Sequence, residues 1–539
     1  MTVLAVSATP LVAPPLPEGR PNLVLAGFMG TGKTTVGRAA AAELALPFLD
    51  TDDAITTARG RSISAIFAEE SETGLRRYEA AAVADAAHLS ATVVATGGGA
   101  PLDRDGFAAL ARSGVTVVLR AGATELARRL GASWERPLLM SGGEHRVAEL
   151  LQARSPVYEA LGGRLETEGR RLGAIVDEAV ARYRSSARAG PLRLEIACGG
   201  EAPTRVIVGD GAISESASAL RDALPGARRA AVVADGAVIA SHAADVIEVL
   251  RAAGIEPVGP FGLPPGEAAK HVDVLATLWD RFHEAGLDPS AAVVAVGGGA
   301  ALDVAGFAAA TYARGIRLVN VPTTVLAMAD AAVGGKVAID HAGAKNLVGV
   351  FHPAVLVIAD TSTCATLPPA VRRQGLAEIV KCLVLIAPTA LEVAADASLA
   401  WGIEQALRAK AAFVSADPRD RGIRRALNLG HTFAHAIESA SSHTVAHGDA
   451  VAIGLVAAAR LGARLGMCDA ALADRVATVL EHLGLPTAAP ALDPSLLRRA
   501  LAADKKRAGG AVRFIVPAPG GAALVSGVDA DAALGSLRP

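Results

Sequence analysis

The chain has 539 residues, more than one hydrophobic core ordinarily holds, so its length predicts about three to four domains or sub-domains. A formal net charge of -2 removes the usual basis for a nucleic-acid groove or a contact with an anionic membrane surface, and leaves small molecules as the expected partners. Hydrophobic residues make up 51% but aromatics only 3%, so Ala, Val and Leu must fill an interior of the kind that packs helices on parallel strands; Cys198, Cys364, Cys382 and Cys468 form no CxxC pair and read as buried, reduced thiols.

Residues 1–19 lack a basic segment ahead of their apolar part and are broken by Pro10, Pro14, Pro15 and Pro17, so neither a signal peptide nor a spanning helix is expected. They read as a loose tail, residues 1–20, of a cytoplasmic protein. The apolar run Asn22–Ala26 then leads into Gly27-Phe28-Met29-Gly30-Thr31-Gly32-Lys33-Thr34, followed by Thr35 and an Ala-rich helical segment. This is a P-loop in its strand–loop–helix setting: consecutive N–H groups of Gly30, Thr31 and Gly32 face phosphate oxygens, Lys33 reaches the β- and γ-phosphates, and the Thr34 hydroxyl is placed for Mg²⁺.

Apolar runs at 23–26, 91–95 and 115–119 alternate with helical patterns, the rhythm of a parallel sheet covered on both faces. Phe48-Leu49-Asp50-Thr51-Asp52 ends a second strand, whose alternation would put Asp50 and Asp52 on one side near the phosphates. Glu72-Thr73-Gly74-Leu75-Arg76, Tyr78-Glu79, Gly97-Gly98-Gly99, Arg136-Pro137-Leu138-Leu139 and Arg154-Ser155-Pro156-Val157-Tyr158 follow in order. This set, covering nearly all of residues 21–180, resembles shikimate kinase. The resemblance implies Asp50 beside Mg²⁺, Asp52 orienting or deprotonating the attacking hydroxyl, and Arg76 and Arg154 clamping the shikimate carboxylate with a guanidinium fork. Gly98 and Gly99 would complete that pocket, and Arg136, in a lid at 131–143, would bring positive charge over ATP. Leu75 stands where the family usually has Phe. A gluconate or nucleotide kinase is the alternative, against which the two arginines argue.

The rhythm stops near Arg182, and 185–191 is a small-residue linker ending in Gly190-Pro191. Runs at 205–208, 230–234, 291–296 and 318–321 again read as buried strands; beyond about Thr361 helical periodicity dominates. Val293–Gly299 followed by Asp303 suits a pyrophosphate and a ribose or nicotinamide contact. Gly266-Glu267 with Lys270, Val321-Pro322-Thr323-Thr324, Asp330–Lys336 and Gly343–Leu347 surround it. In the helical part come Gly375–Lys381, then Arg424, Asn428, Gly430–Glu438 and His447-Gly448-Asp449. One carboxylate and two imidazoles suit a catalytic zinc, but His431 and His435, four apart on a helix, leave open which histidines are ligands.

Residues 192–539 resemble 3-dehydroquinate synthase. The resemblance implies Glu378, His431 and His447 as Zn²⁺ (or Co²⁺) ligands, with His435 at the phosphate. It implies NAD held by Asp235, Glu267, Lys270, Gly298, Gly299, Asp303, Thr323, Thr324, Lys336, Lys345 and Thr366. Arg314, Lys336, Asn346, His435 and Lys505 or Lys506 would surround the phosphate of 3-deoxy-arabino-heptulosonate 7-phosphate; Lys410, Arg424 and Asn428 would hold its carboxylate, with Lys381 and Asp330 between. Asp420, Leu302, Ala434 and Leu383 depart from the family's pattern. Other sugar-phosphate cyclases and, more distantly, polyol dehydrogenases are the alternatives; one half acting as a silent regulatory module is a third.

The expected whole is α/β. A P-loop αβα kinase domain of nucleoside monophosphate kinase type (21–184) and a linker (185–191) precede a Rossmann-type NAD domain (192–361) and a mostly helical metal- and substrate-binding domain (362–539). A homodimer formed through the synthase part is implied by the resemblance.

Overall fold

The computed structural model describes residues 6–131, 143–187, 190–507 and 512–538. The chain forms two compact units: residues 18–189 with 386–401, and residues 1–17, 190–385 and 402–539. Two features depart from the sequence expectation. Part of the expected loose tail is a strand, β1 (Ser7–Val12), antiparallel to a strand near the other end of the chain. Residues 386–401, expected in the helical synthase domain, belong to the kinase-like unit.

The kinase-like unit is built on five parallel strands, β2 (Asn22–Gly27), β3 (Phe48–Asp50), β4 (Val93–Ala95), β5 (Gly114–Arg120) and β6 (Arg164–Glu166), in the order β3-β4-β2-β5-β6. Every residue of β2 is buried, which is why it reads as an uninterrupted apolar run. Val36 and Ala40 of helix Lys33–Leu44 and Ile175 and Ala179 of helix Leu172–Ser186 pack on Leu23, Leu25 and Val117. Residues 386–401 seal the far side: the Trp401 indole N–H donates to the Ser90 carbonyl at 2.9 Å, and Thr389 donates through both N–H and hydroxyl to Asp85 at 2.8 and 2.7 Å.

The second unit begins with β7 (Leu192–Ile196), antiparallel to β8 (Thr204–Gly209). β9 (Arg229–Asp235), β10 (Glu256–Leu263), β11 (Ala292–Gly297), β12 (Arg317–Pro322) and, after the antiparallel pair β13 (Lys336–His341) and β14 (Ala344–Phe351), β15 (Leu356–Asp360) extend the sheet. Its order is β10-β9-β11-β12-β15-β8-β7, parallel except at β7. Succession runs outward in opposite directions from β9 and β11, so a crevice opens at their carboxyl ends, where ligands of open α/β sheets settle. Beyond β15 the chain is helical until β16 (Arg513–Ala518) and β17 (Gly521–Ser526), with β1 on the outer edge of β17. Among the described residues no helix is long and apolar enough to cross a membrane.

Candidate active sites

In the kinase-like unit the loop after β2 wraps a cavity of about 260 Å³ lined by Met29, Gly30, Gly32, Lys33, Thr34, Thr35, Asp50, Asp52, Gly98 and Arg129, among others. The Lys33 ammonium donates to the Gly27 and Phe28 carbonyls at 2.9 and 3.0 Å, fixing the loop around itself. Thr34 donates its hydroxyl to Asp50 Oδ2 at 2.7 Å, so the two groups expected beside Mg²⁺ already touch. Asp50 reaches the site as expected, but Asp52 does so by a different route. The strand ends at Asp50, which caps the helix Thr51–Arg59 by accepting from the Asp52 N–H at 2.9 Å, and Asp52 lies in that helix's first turn. An N-cap carboxylate satisfies an orphan helix N–H, and this outcompetes strand alternation at an Asp-Thr-Asp sequence.

Arg76 sits between two acids of its own helix, donating to Glu72 at 2.7 Å and also to Glu79. The guanidinium passes directly over Gly99: a Cβ there would overlap Nη1 and lie 2.7 Å from Cζ and 3.0 Å from Nη2, so any side chain at 99 displaces it. A Cβ on Gly97 would lie 2.5 Å from Asp52 Oδ1 and 3.1 Å from Glu79 Oε1, which places Asp52, Glu79 and Arg76 around one three-glycine turn. Arg154 is buried with its guanidinium 5.9 Å from the Phe28 ring centroid. Tyr158 donates to the Gly98 carbonyl at 2.5 Å; burial raises its pKa, against the lowering pull of Arg154. Arg136 lies outside the described residues. Arg129 was not singled out from sequence, and Glu79 was noted beside Tyr78 without a role. Arg129 is visible as a cation in the last turn of helix Ala123–Leu130, and Glu79 as the acid one helical turn after Arg76.

In the second unit the crevice at the ends of β9, β11 and β12 gathers much of the expected dinucleotide set. Gly298 caps the helix Gly299–Thr311, which starts directly after β11 with no side chain among the described residues bonded to its first N–H groups. Asp235, at the end of β9, lies so close to Gly297 that a Cβ there would be 2.9 Å from its Cβ. Thr323 is fully buried, and its hydroxyl has no hydrogen-bond partner among the described residues; Thr324 accepts from the Ala327 N–H at 3.1 Å. The Lys270 ammonium bridges Asp303 Oδ2, at 2.7 Å, and Asn346. Burial pushes the Asp303 carboxyl up to about 6 in spite of that lysine. Glu267 stands 3.9 Å from both Lys270 and Lys345, and the Thr366 hydroxyl is 3.0 Å from His242 Nε2.

Glu378, on helix Leu376–Ile386, is 1% exposed and pairs with Lys381 of the next turn. Its oxygens, although Lys381 lies against one, have no hydrogen-bond partner of good geometry. His431 begins helix His431–Ala440, and its Nε2 is 3.4 Å from Glu378 Oε1, while its Nδ1 is 3.2 Å from the Leu429 carbonyl. His447 begins helix His447–Arg464, with Nε2 3.9 Å from the same Glu378 oxygen. Ligand atoms of Glu378, His431 and His447 all lie within 4.8 Å of one another. His435 instead stacks edge-on against His431, at 5.8 Å between centroids. The cluster closes because Gly448 abuts Gln374: a Cβ at 448 would overlap the Gln374 carbonyl oxygen and lie 2.6 Å from its Cα. The histidine helix thereby starts directly beside the segment leading to Glu378.

Cations ring this cluster. Lys410, buried, donates to the Asp330 carboxylate and carbonyl; burial raises the Asp330 pKa, but Lys410 and Lys381 outweigh it and hold the carboxyl well below its usual range. Arg424, also buried, donates to the Gly334 and Pro418 carbonyls at 3.2 and 2.8 Å. Lys336 pairs with Asp420 at 2.5 Å, one of the positions departing from the family's pattern. Leu302, Leu383 and Ala434 are buried and fill core space. Asn428 is exposed. Arg314 is not brought into the cluster: it is exposed on a turn at φ 66, with no ion pair to these groups among the described residues. The side chains of Lys505 and Lys506 fall outside the described residues.

The residues therefore fit a divalent ion held by one carboxylate and two Nε2 atoms, and a dinucleotide across the crevice. The comparisons bear on both units. The family model of shikimate kinase matches residues 29–184. Those of the 3-dehydroquinate synthase N-terminal and C-terminal parts match 260–374 and 375–507. The 3-dehydroquinate synthase of Thermobifida fusca is 43% identical over 328 residues, 59% of this chain and 88% of its own. Among solved structures, ValA (2-epi-5-epi-valiolone synthase) from Streptomyces hygroscopicus subsp. jinggangensis, with NAD⁺ and Zn²⁺ bound, is 27% identical with a TM-score of 0.55, covering 65% of this chain and 98% of its own. A 2-deoxy-scyllo-inosose synthase complexed with carbaglucose-6-phosphate, NAD⁺ and Co²⁺ is 25% identical with a TM-score of 0.56, covering 64% and 99%.

Proposed function

The chain belongs to the 3-dehydroquinate synthase family and carries a shikimate kinase domain ahead of that part, and from this premise we propose how each site works. It is a bifunctional enzyme of the shikimate pathway, a phosphotransferase and a carbon–oxygen lyase in one chain. The kinase domain phosphorylates shikimate from ATP. In our reading Lys33 and the loop N–H groups hold the triphosphate, and Thr34 and Asp50 hold Mg²⁺. Asp52 orients the 3-hydroxyl, Arg76 and Arg154 hold the carboxylate, Gly98 and Gly99 complete its pocket, and Arg136 covers the transfer.

The synthase part converts 3-deoxy-arabino-heptulosonate 7-phosphate to 3-dehydroquinate and phosphate. Glu378, His431 and His447 would hold Zn²⁺ or Co²⁺, which would supply Lewis-acid polarisation of substrate oxygens, and bound NAD would supply a reversible hydride acceptor. Asp235, Gly298, Gly299, Asp303, Thr323 and Thr324 place the dinucleotide. Lys381 and Asp330 meet the reacting oxygens, Lys410, Arg424 and Asn428 hold the carboxylate, and Lys336, Asn346 and His435 serve the phosphate. Neutralising a phosphate dianion while letting it depart accounts for so many cations in a chain of formal net charge -2. We also take the chain to be a cytoplasmic homodimer formed through the synthase part.

The observation that carries the synthase reading is the convergence of Glu378, His431 and His447 within 4.8 Å. Mass spectrometry of the purified chain supplied with the heptulosonate phosphate, NAD and Zn²⁺ tests it: 3-dehydroquinate forms, and a chelator stops it. A different cyclic product, or none while shikimate is still phosphorylated, contradicts it.

A further inference from the structure

We infer that Glu438 is a positioning residue for His447 and through it sets the strength of the metal centre; this rests on reading Glu378, His431 and His447 as ligands. Glu438 follows His431 by seven residues, two turns along helix His431–Ala440, so one helix supplies one ligand and reaches toward the next. It is 8% exposed, and its Oε1 lies 3.3 Å from His447 Nδ1. A carboxylate only accepts, so Nδ1 must carry the proton, and the lone pair of Nε2 is left facing Glu378 Oε1 at 3.9 Å. The Leu429 carbonyl plays the same part for His431, at 3.2 Å from its Nδ1. His431 is thus oriented by a neutral group and His447 by a charged one. A carboxylate partner fixes the tautomer and ring angle and makes Nε2 the more basic ligand.

The test uses the full chain stripped of metal, with Zn²⁺ or Co²⁺ alone as probe. Affinity is read by competition against a chromophoric chelator, and the Co²⁺ visible bands report ligand geometry. Glu438→Ala is expected to weaken binding about 10- to 100-fold and to shift the Co²⁺ bands. Glu438→Gln, whose amide oxygen still accepts from Nδ1–H without the charge, is expected to lose less. It carries the test alone if the alanine variant melts early. Affinity within twofold of the unaltered chain and an identical Co²⁺ spectrum in both variants overturn the inference. His431→Ala is the control: if it binds Co²⁺ as well as the unaltered chain does, the metal reading itself falls and this inference with it.

Discussion

Gly99→Ala isolates the carboxylate clamp of the kinase. Gly99 has φ -92, a conformation any residue adopts, so the substitution introduces no backbone strain. The new methyl overlaps Arg76 Nη1 and stands 2.7 Å from Cζ. Restoring ordinary contact requires the guanidinium to move by roughly 1 Å. The end of an arginine swings away readily, so folding stability changes little, but the fork no longer meets a carboxylate with two parallel N–H groups. A charge-assisted hydrogen bond of this kind contributes about 1.5–3 kcal/mol, which corresponds to a rise of about 10- to 100-fold in KM for shikimate. Steady-state kinetics with shikimate and ATP varied separately reads it: KM for shikimate rises, KM for ATP and the melting temperature stay, and dehydroquinate formation is untouched. An unchanged KM for shikimate in a folded variant refutes the placement of Arg76.

Trp401→Ala empties a site where an indole, 4% exposed, bonds the Ser90 carbonyl. A loss of about 3–5 kcal/mol is expected, seen as kinase activity disappearing at lower urea, although the residue lies within the matched synthase segment. Gly448→Ala must push the start of the His447 helix off the Gln374 backbone, so Co²⁺ affinity falls in a chelator competition while shikimate phosphorylation persists. Asp303 gives a pH signature. Its folded pKa of about 6 lies above the ordinary 3.8 of an aspartate, so the folded state binds the proton more tightly. The stabilisation is fully present below pH 3.8 and lost as pH rises through 6, and Asp303→Asn removes that slope from urea midpoints measured without NAD.

Many strands of both sheets were legible because strands buried on both faces read as apolar runs, as 230–234 inside β9 and 318–321 inside β12, whereas β10, at the sheet edge with only Leu263 buried, offered no such run. β1 was not, since its Pro10 reads as a breaker; on an outer edge, paired only with β17 some 500 residues away, a proline is tolerated. The pairing of Trp401 with Ser90 is equally non-local and leaves no mark in either segment. Glu378, His431 and His447 stood out as residue types, but spacing alone left open whether His435 or His447 joins His431. It is the Gly448–Gln374 approach, a tertiary event, that brings His447 beside Glu378. Asp52 was placed at the right site by the wrong geometry, because helix capping by Asp50 replaced strand alternation.

The central claim is two independent sites in one chain, and the most direct measurement compares both activities in single preparations of Lys33→Ala and His431→Ala. Lys33→Ala is expected to abolish shikimate phosphorylation and leave dehydroquinate formation at the level of the unaltered chain, and His431→Ala to do the reverse. Loss of both activities from either substitution, with melting temperatures unchanged, would contradict it.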